Sequence, residues 1–293
     1  MKDAARLAAY FAVTIFFGAL LAPPLFWGSH SLAAHGLLPF LAKYNFETFF
    51  HRALLIAAAA LLWPFLYVSG VRSMADLGLL PNPRWTRDAL AGVLFSAIPL
   101  LCCGVLLIEF NIYSIRHTFT LTPLGKTLAA SVAVPFIEET LFRGIVLGLL
   151  LRTRRQYLSI FATSAIFSVV HFLKAASQKS TIVTWTSGFN SIANSFEQFG
   201  DLTLVGAGFT TLFLIGWILA DSRVLTRSLW LSIGLHAGWI LASGIFTRVA
   251  RQKMLVFPWL GKNLLVGIVP LVVAGFTWLI MRIWLKYDRA HQV

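Results

Sequence analysis

Long apolar stretches dominate this sequence and leave it few possible folds. Stretches long enough to span a membrane occupy residues 6–27, 48–70, 88–110, 121–150, 156–173, 203–220, 227–247 and 263–286. A transmembrane helix needs about 20 mostly apolar residues, and barrel strands are about half as long. Only helices satisfy every backbone polar group in lipid at these lengths. We therefore predict an all-α, polytopic membrane bundle of about eight helices, with residues 1–293 as a single membrane domain.

The charge of the chain is strongly basic, with 24 Lys and Arg against 11 Asp and Glu. The basic residues form short clusters at predicted helix ends, such as Arg152, Arg154 and Arg155. This placement is typical of anchors to anionic lipid and not of a nucleic-acid surface. We therefore predict membrane lipid as a partner and no nucleic acid. The distribution of Lys and Arg between loops favours cytoplasmic termini, and no pattern indicates an oligomeric state.

Residues 174–202 form a long polar connection that carries spaced aromatic side chains. Long loops in compact domains are often functional lids, and amphipathic segments also lie on membrane surfaces. Two interpretations stay open, an interfacial lid over a site and a surface helix without a role in chemistry.

Two adjacent glutamates, Glu138 and Glu139, lie inside the fourth apolar stretch. A carboxylate there costs at least a few kcal/mol, so such a pair predicts a functional site. Arg143 follows Glu139 by four residues, the spacing of an ion pair on one helix face. Glu138 lies about 100° further around the helix, where we expect it to point into a cavity. Pro135 removes one backbone hydrogen bond just before the pair and favours a kink there.

Two histidines, His171 and His236, lie well inside the fifth and seventh stretches. Glu138 lies sixteen residues before Arg154 and His171 seventeen after it. Antiparallel helices therefore place both about 24–26 Å from that turn. Two chemistries remain open: Glu138 and a histidine polarise a water as general base, or Glu138, His171 and His236 bind zinc. No HExxH run favours the metal.

Three motifs in this region resemble those of the CAAX prenyl protease and bacteriocin-processing (CPBP, ABI-type) intramembrane protease family. EETLFRG matches the family's EExxxR motif, and the run from Phe167 to His171 matches its FxxxH motif. The run from Arg227 to His236 looks like its third motif, which carries a histidine on a helix. The resemblance covers residues 120–247, which we take as the catalytic core.

The resemblance implies an intramembrane endopeptidase that cuts a peptide or protein near the bilayer surface. Glu138 would activate the attacking water with help from His171, and His236 would stabilise the oxyanion. Three further residues would support the site: Glu139, Arg143 and Phe167. No cofactor is required in this scheme, and zinc is the alternative. The resemblance also implies a multi-pass protein of the bacterial inner (plasma) membrane.

One position departs from the family pattern. Many members carry Asn or Asp four residues after the third-motif histidine, where this chain has Ile240. Isoleucine cannot donate a hydrogen bond, and losing an oxyanion donor costs about 10²–10³ in rate. Ser232 and Ser243, each within about one turn of His236 or Ile240, are candidate substitutes. Ile240 therefore favours an alternative function, a weak or inactive relative that acts as a scaffold or immunity-type protein. A further alternative is a transporter with a proton-relay carboxylate, although the sequence lacks the paired repeats and broken helices typical of that class.

Overall fold

A computed structural model describes residues 2–80, 82–116, 122–172, 182–197, 202–261 and 264–290. The α-helices in chain order are α1 (Lys2–Ala34), α2 (Phe46–Val68), α3 (Trp85–Glu109), α4 (Thr122–Glu139), α5 (Leu147–Leu151), α6 (Gln156–Phe172), α7 (Ser187–Glu197), α8 (Leu202–Thr226), α9 (Trp230–Val249) and α10 (Ile268–Ala290). A π-helical segment, Thr140–Val146, joins α4 to α5, and a short 3-10 helix, Pro39–Lys43, follows α1. The chain is 78% helical, which confirms the predicted all-α fold.

The number of long spans differs from the prediction. Among the described residues, six helices and not eight are long and apolar enough to cross a membrane: α1, α2, α3, α8, α9 and α10. The fourth predicted stretch differs because it carries two glutamates and leaves the α conformation at Thr140. The fifth differs because α6 has 17 residues, which at 1.5 Å per residue is about 26 Å, short of a hydrocarbon core of about 30 Å. The protein is a multi-pass membrane protein whose glutamate-bearing helix is not one of its most apolar.

The described chain divides into two compact units. The first consists of Met1–Arg72 and Val170–Leu202, and the second of Ser73–Val169 and Thr203–Val293.

In the first unit α1 packs along α2. The Tyr10 hydroxyl of α1 donates to the Ala58 carbonyl at 2.9 Å, and Gly18 of α1 lies directly against Leu54. Helix α7 packs on α1 through Gly188, where a Cβ would meet the Ala19 carbonyl. Helix α7 falls within the predicted segment 174–202, of which residues 174–181 and 198–201 lie outside the described residues. The role of that segment as a lid or as a surface helix stays a prediction.

In the second unit α3 and α9 lie in close backbone contact. A Cβ on Gly92 of α3 would come within 2.6 Å of the Leu231 carbonyl, and a Cβ on Gly234 of α9 would meet the Ala89 carbonyl. Gly238, one turn after Gly234, packs in the same way against Val93. Small residues allow helix backbones in membranes to approach closely. This contact determines which face of α9 remains for other helices.

A short antiparallel ribbon ties the far ends of these two helices together. Strand β1 (Tyr113–Ile115) follows α3 and pairs with β2 (Ala250–Gln252), which follows α9 directly. Tyr113 lies opposite Gln252. The sequence did not predict this ribbon, because each strand has only three residues and no alternating pattern can show over that length.

Candidate active site

A fully buried ion pair joins the end of α4 to the π segment. Arg143 Nη1 donates to Glu139 Oε1 at 2.8 Å, and both side chains are 0% exposed. Arg143 Nη2 donates to the Gly216 carbonyl of α8 at 3.2 Å. The guanidinium carbon of Arg143 lies 4.4 Å from the centroid of the Phe167 ring of α6. The pair expected from the spacing is therefore present, and Arg143 connects the π segment with both α6 and α8.

The helix changes type at the site itself. Pro135 lies within α4, and the π segment begins directly after Glu139 and contains Arg143. Such segments interrupt α-helices mostly as short insertions and occur frequently at functional sites. Gly144 of this segment packs against Leu77 and Leu229, where a Cβ would come within 3.2 Å of the Leu77 carbonyl. The irregularity is therefore enclosed by protein, where backbone groups can find partners.

Glu139 is the centre of the hydrogen-bond network. Its Oε1 accepts from Arg143 and lies 2.9 Å from His236 Nδ1, and its Oε2 accepts from the Ser232 hydroxyl. Ser232 and His236 are four residues apart on α9, so they lie on one face of that helix. When a carboxylate is ionised it only accepts hydrogen bonds, so with an ionised Glu139 this contact requires a hydrogen on His236 Nδ1. Glu139 thereby directs both of its oxygens to donors within the protein.

Glu138 is placed differently from its neighbour. Its side chain is 28% exposed, and its Oε2 lies 3.8 Å from His236 Nε2. This distance is longer than a direct hydrogen bond, so the two atoms are near neighbours without a direct bond. The His236 ring also packs edge-on to the Phe167 ring, with centroids 6.2 Å apart. Glu138 is thus the more accessible carboxylate, and His236 lies between the two.

Most of the residues that the sequence singled out lie together in the second unit. The contacts above bring together Glu138, Glu139, Arg143, Phe167 and His236. His171 follows Phe167 by one turn of α6 and falls within Val170–Leu202, which belongs to the first unit. Its convergence with Glu138 stays a prediction.

The structure adds one group to the site that the sequence did not place there, the Gly216 carbonyl, and gives Ser232 a partner that the sequence did not predict. Ser232 donates to Glu139, although the sequence offered it as an oxyanion donor, and Ser243 donates to the Ile240 carbonyl at 3.3 Å. The spacing of Ser232 from His236 was the available signal. The Gly216 carbonyl had no signal, because every residue has a carbonyl and only the packing of α8 selects this one.

A metal site was the other prediction for these residues. Among the described residues, no group of three or more His, Cys, Asp and Glu side chains could hold a metal ion. Zinc bound by Glu138, His171 and His236 stays a prediction, which metal analysis of the purified protein tests.

These observations define the class of the molecule as a multi-pass helical membrane protein with an acid–base cluster inside its bundle. Residues 120–242 match the family model for the Type II CAAX prenyl endopeptidase Rce1-like family. The match agrees with the resemblance seen in the three motifs and covers residues 120–242 of this 293-residue chain. No curated protein matches the chain, and no solved structure does either.

Proposed function

We propose that this protein is an intramembrane endopeptidase of the CAAX type in which Glu138 activates the attacking water. The observation that carries the proposal is the contrast between the adjacent glutamates. Three donors hold Glu139, whereas Glu138 is 28% exposed and borders His236 Nε2 at 3.8 Å. A general base must reach both water and substrate, and of the two glutamates only Glu138 is not fully enclosed by protein.

Glu138 acts as the general base in this mechanism. It takes a proton from water as the water oxygen attacks the carbonyl carbon of the scissile bond. The same proton passes to the nitrogen of the leaving amine when the tetrahedral intermediate collapses, which returns Glu138 to its starting state. We assign His171 the task of orienting this water, since it follows the site residue Phe167 by one turn of α6.

His236 acts on the developing oxyanion. Its Nδ1 lies 2.9 Å from Glu139 Oε1, which leaves Nε2 as the ring nitrogen that faces Glu138. Donation from Nε2 then stabilises the negative charge that forms on the substrate oxygen.

We propose a peptide or protein substrate that is cut near the bilayer surface. The protein itself lies among lipids, which the six long apolar helices of the described residues require. We place it in the bacterial inner (plasma) membrane with both termini in the cytoplasm, since the basic clusters favour that orientation.

A second candidate function is a catalytically weak or inactive family member that acts as a scaffold or immunity-type protein. One observation favours it. Ile240 takes the place of a donor, and the two serines nearest in sequence, Ser232 and Ser243, already donate to Glu139 and to the Ile240 carbonyl.

The test is cleavage by the purified protein in lipid vesicles, with membrane-proximal peptides that carry or lack a prenylated C-terminal cysteine. Glu138→Gln should lower kcat/KM by about 10³-fold, because it removes the base while keeping the shape. His171→Ala should lower it as well. Glu109→Gln, at the exposed end of α3, is the matched control and should leave cleavage unchanged.

Three outcomes decide between the alternatives. Cleavage that survives both Glu138→Gln and His171→Ala removes the peptidase assignment. Absence of cleavage in the wild-type protein on every peptide supports the second candidate. Inhibition by a chelator, reversed by zinc, would replace the metal-free scheme with the zinc scheme.

A further inference from the structure

We propose that Ser232 is a positioning residue of this site, which holds the Glu139 carboxylate so that His236 presents Nε2 to Glu138. The inference deepens the proposed function and depends on it for its kinetic consequence. Ser232 is 0% exposed and lies on the same face of α9 as His236. No motif that the sequence analysis used assigns it a partner.

The donors to Glu139 are divided unequally between its two oxygens. Arg143 and His236 both contact Oε1, and only Ser232 contacts Oε2. Rotation about the terminal torsion of a carboxylate has a broad energy profile and moves both oxygens, Oε1 included. A donor on Oε2 restrains that rotation from the opposite oxygen. Ser232 thereby helps to fix the direction in which Oε1 meets the His236 ring.

The Ser232 hydroxyl differs from most buried serine hydroxyls of this protein in the group to which it donates its hydrogen bond. Ser96, Ser164 and Ser222 are also 0% exposed, and each donates to a carbonyl about one turn earlier in its own helix. This local bond is the ordinary way for a helix to satisfy a buried hydroxyl. Ser232 bonds instead to a carboxylate on another helix. It therefore contributes to the site and not only to its own backbone.

The helix that carries Ser232, α9, is held rigidly against α3. Gly234 and Gly238 lie about 200° around α9 from Ser232 and His236 and contact the α3 backbone directly. Because this contact holds the α9 backbone, Ser232 and His236 reach Glu139 from a fixed surface. A site built on rigid helices positions its groups more accurately than one built on loops.

The experiment compares three variants of the full-length protein in lipid. Ser232→Ala removes the donor. Ser232→Cys keeps a weak donor at similar volume and carries the test if Ser232→Ala does not fold. Ser96→Ala is the matched control, because Ser96 is equally buried and lies beside α9 at Gly238 but touches no carboxylate.

The kinetic result separates positioning from binding. Ser232→Ala should lower kcat by about 10- to 100-fold, the value of a hydrogen bond to a charged group, with KM within about twofold of wild type. Ser232→Cys should lie between the two, and Ser96→Ala should match wild type.

The second measurement is ring-¹⁵N NMR of the His236 imidazole without substrate, which does not depend on peptidase activity. In wild type His236 should give one set of signals with a hydrogen on Nδ1. In Ser232→Ala the signals should shift or split, because the ring no longer meets a fixed carboxylate. In Ser96→Ala they should stay as in wild type.

The two measurements fail in different ways. An unchanged kcat together with unchanged His236 signals in Ser232→Ala would overturn the proposal. So would a variant that only lowers thermal stability or raises KM. If no protein cleaves any peptide, the proposed function fails, whereas changed His236 signals in Ser232→Ala alone would still support the positioning role.

Discussion

Two buried carboxylates in the second unit are held in different ways. Asp221 of α8 accepts two hydrogen bonds from Arg282 at 2.8 Å and one from Trp278 at 2.9 Å, all from α10. Its guanidinium partner is 42% exposed. This cluster joins two helices and ends at the surface of the protein. Its charged groups therefore serve to hold α8 and α10 together.

The Glu139 cluster continues beyond its first partners. Both members of its ion pair with Arg143 are 0% exposed, and one of its other donors is a histidine. The second nitrogen of that histidine faces Glu138, which is partly exposed. Charged groups among apolar helices are functional candidates by default. Comparison of Asp221 with Glu139 indicates a second condition for a functional site. The buried ion pair must also contact a titratable side chain, here His236, that directs another atom away from the pair.

The largest effect is expected when the cation is removed from the Glu139–Arg143 pair. Arg143→Met should leave the Glu139 charge buried without its cation, which costs about 3–5 kcal/mol of unfolding free energy. Cleavage should be lost as well, because Glu139 no longer holds its orientation. Thermal unfolding in detergent and the cleavage assay measure the two effects.

A double variant separates stability from activity at this site. Glu139→Gln combined with Arg143→Met should recover most of the stability, because a buried pair replaced by neutral groups is often tolerated. It should not recover cleavage. A double variant as active as wild type would show that the ion pair has no part in the chemistry.

A substitution at Asp221 tests the carboxylate that joins α8 to α10. Asp221→Asn removes the charge but keeps an oxygen for Arg282, whose exposed side chain can also reach water. We expect a loss of about 1–2 kcal/mol in unfolding free energy and cleavage within about twofold of wild type. A large loss of cleavage with little loss of stability would contradict the separation of the two clusters.

The smallest expected effect comes from adding a hydrogen-bond donor at position 240. Ile240→Asn restores an amide one turn after His236, and we expect kcat to rise by about tenfold or less. The measurement is steady-state cleavage, with Ser243→Ala as the control on the same helix. A rate that is unchanged or lower would show that this position does not reach the oxyanion.

The sequence predicted local features well. The predicted stretch 88–110 is α3 at Trp85–Glu109, and the predicted stretch 227–247 is α9 at Trp230–Val249. The Glu139–Arg143 pair followed from spacing because helix neighbours four residues apart meet regardless of the rest of the fold. Among the described residues, six of the eight predicted stretches form helices long and apolar enough to cross a membrane, because hydropathy does not show where a helix shortens or changes to π geometry.

The partner of His236 could not be predicted in the same way. The sequence assigned this histidine to the substrate oxyanion, and the structure brings its Nδ1 to Glu139 and its Nε2 towards Glu138. Which face of α9 meets α4 depends on how α9 is rotated about its axis. The glycine contact with α3 sets that rotation, and a contact between distant helices leaves no periodic signal in either one.

The amino-acid sequence by itself determined that this chain is a helical membrane protein with a charged motif on its fourth apolar stretch, because hydrophobic length and four-residue spacing act within one helix. Only the tertiary structure decided that Glu139 is fully enclosed and that His236 and Ser232 of α9 are its partners. Those properties arise where α4, α8 and α9 meet, and burial and hydrogen-bond direction are set by neighbours that lie up to about a hundred residues away in the chain.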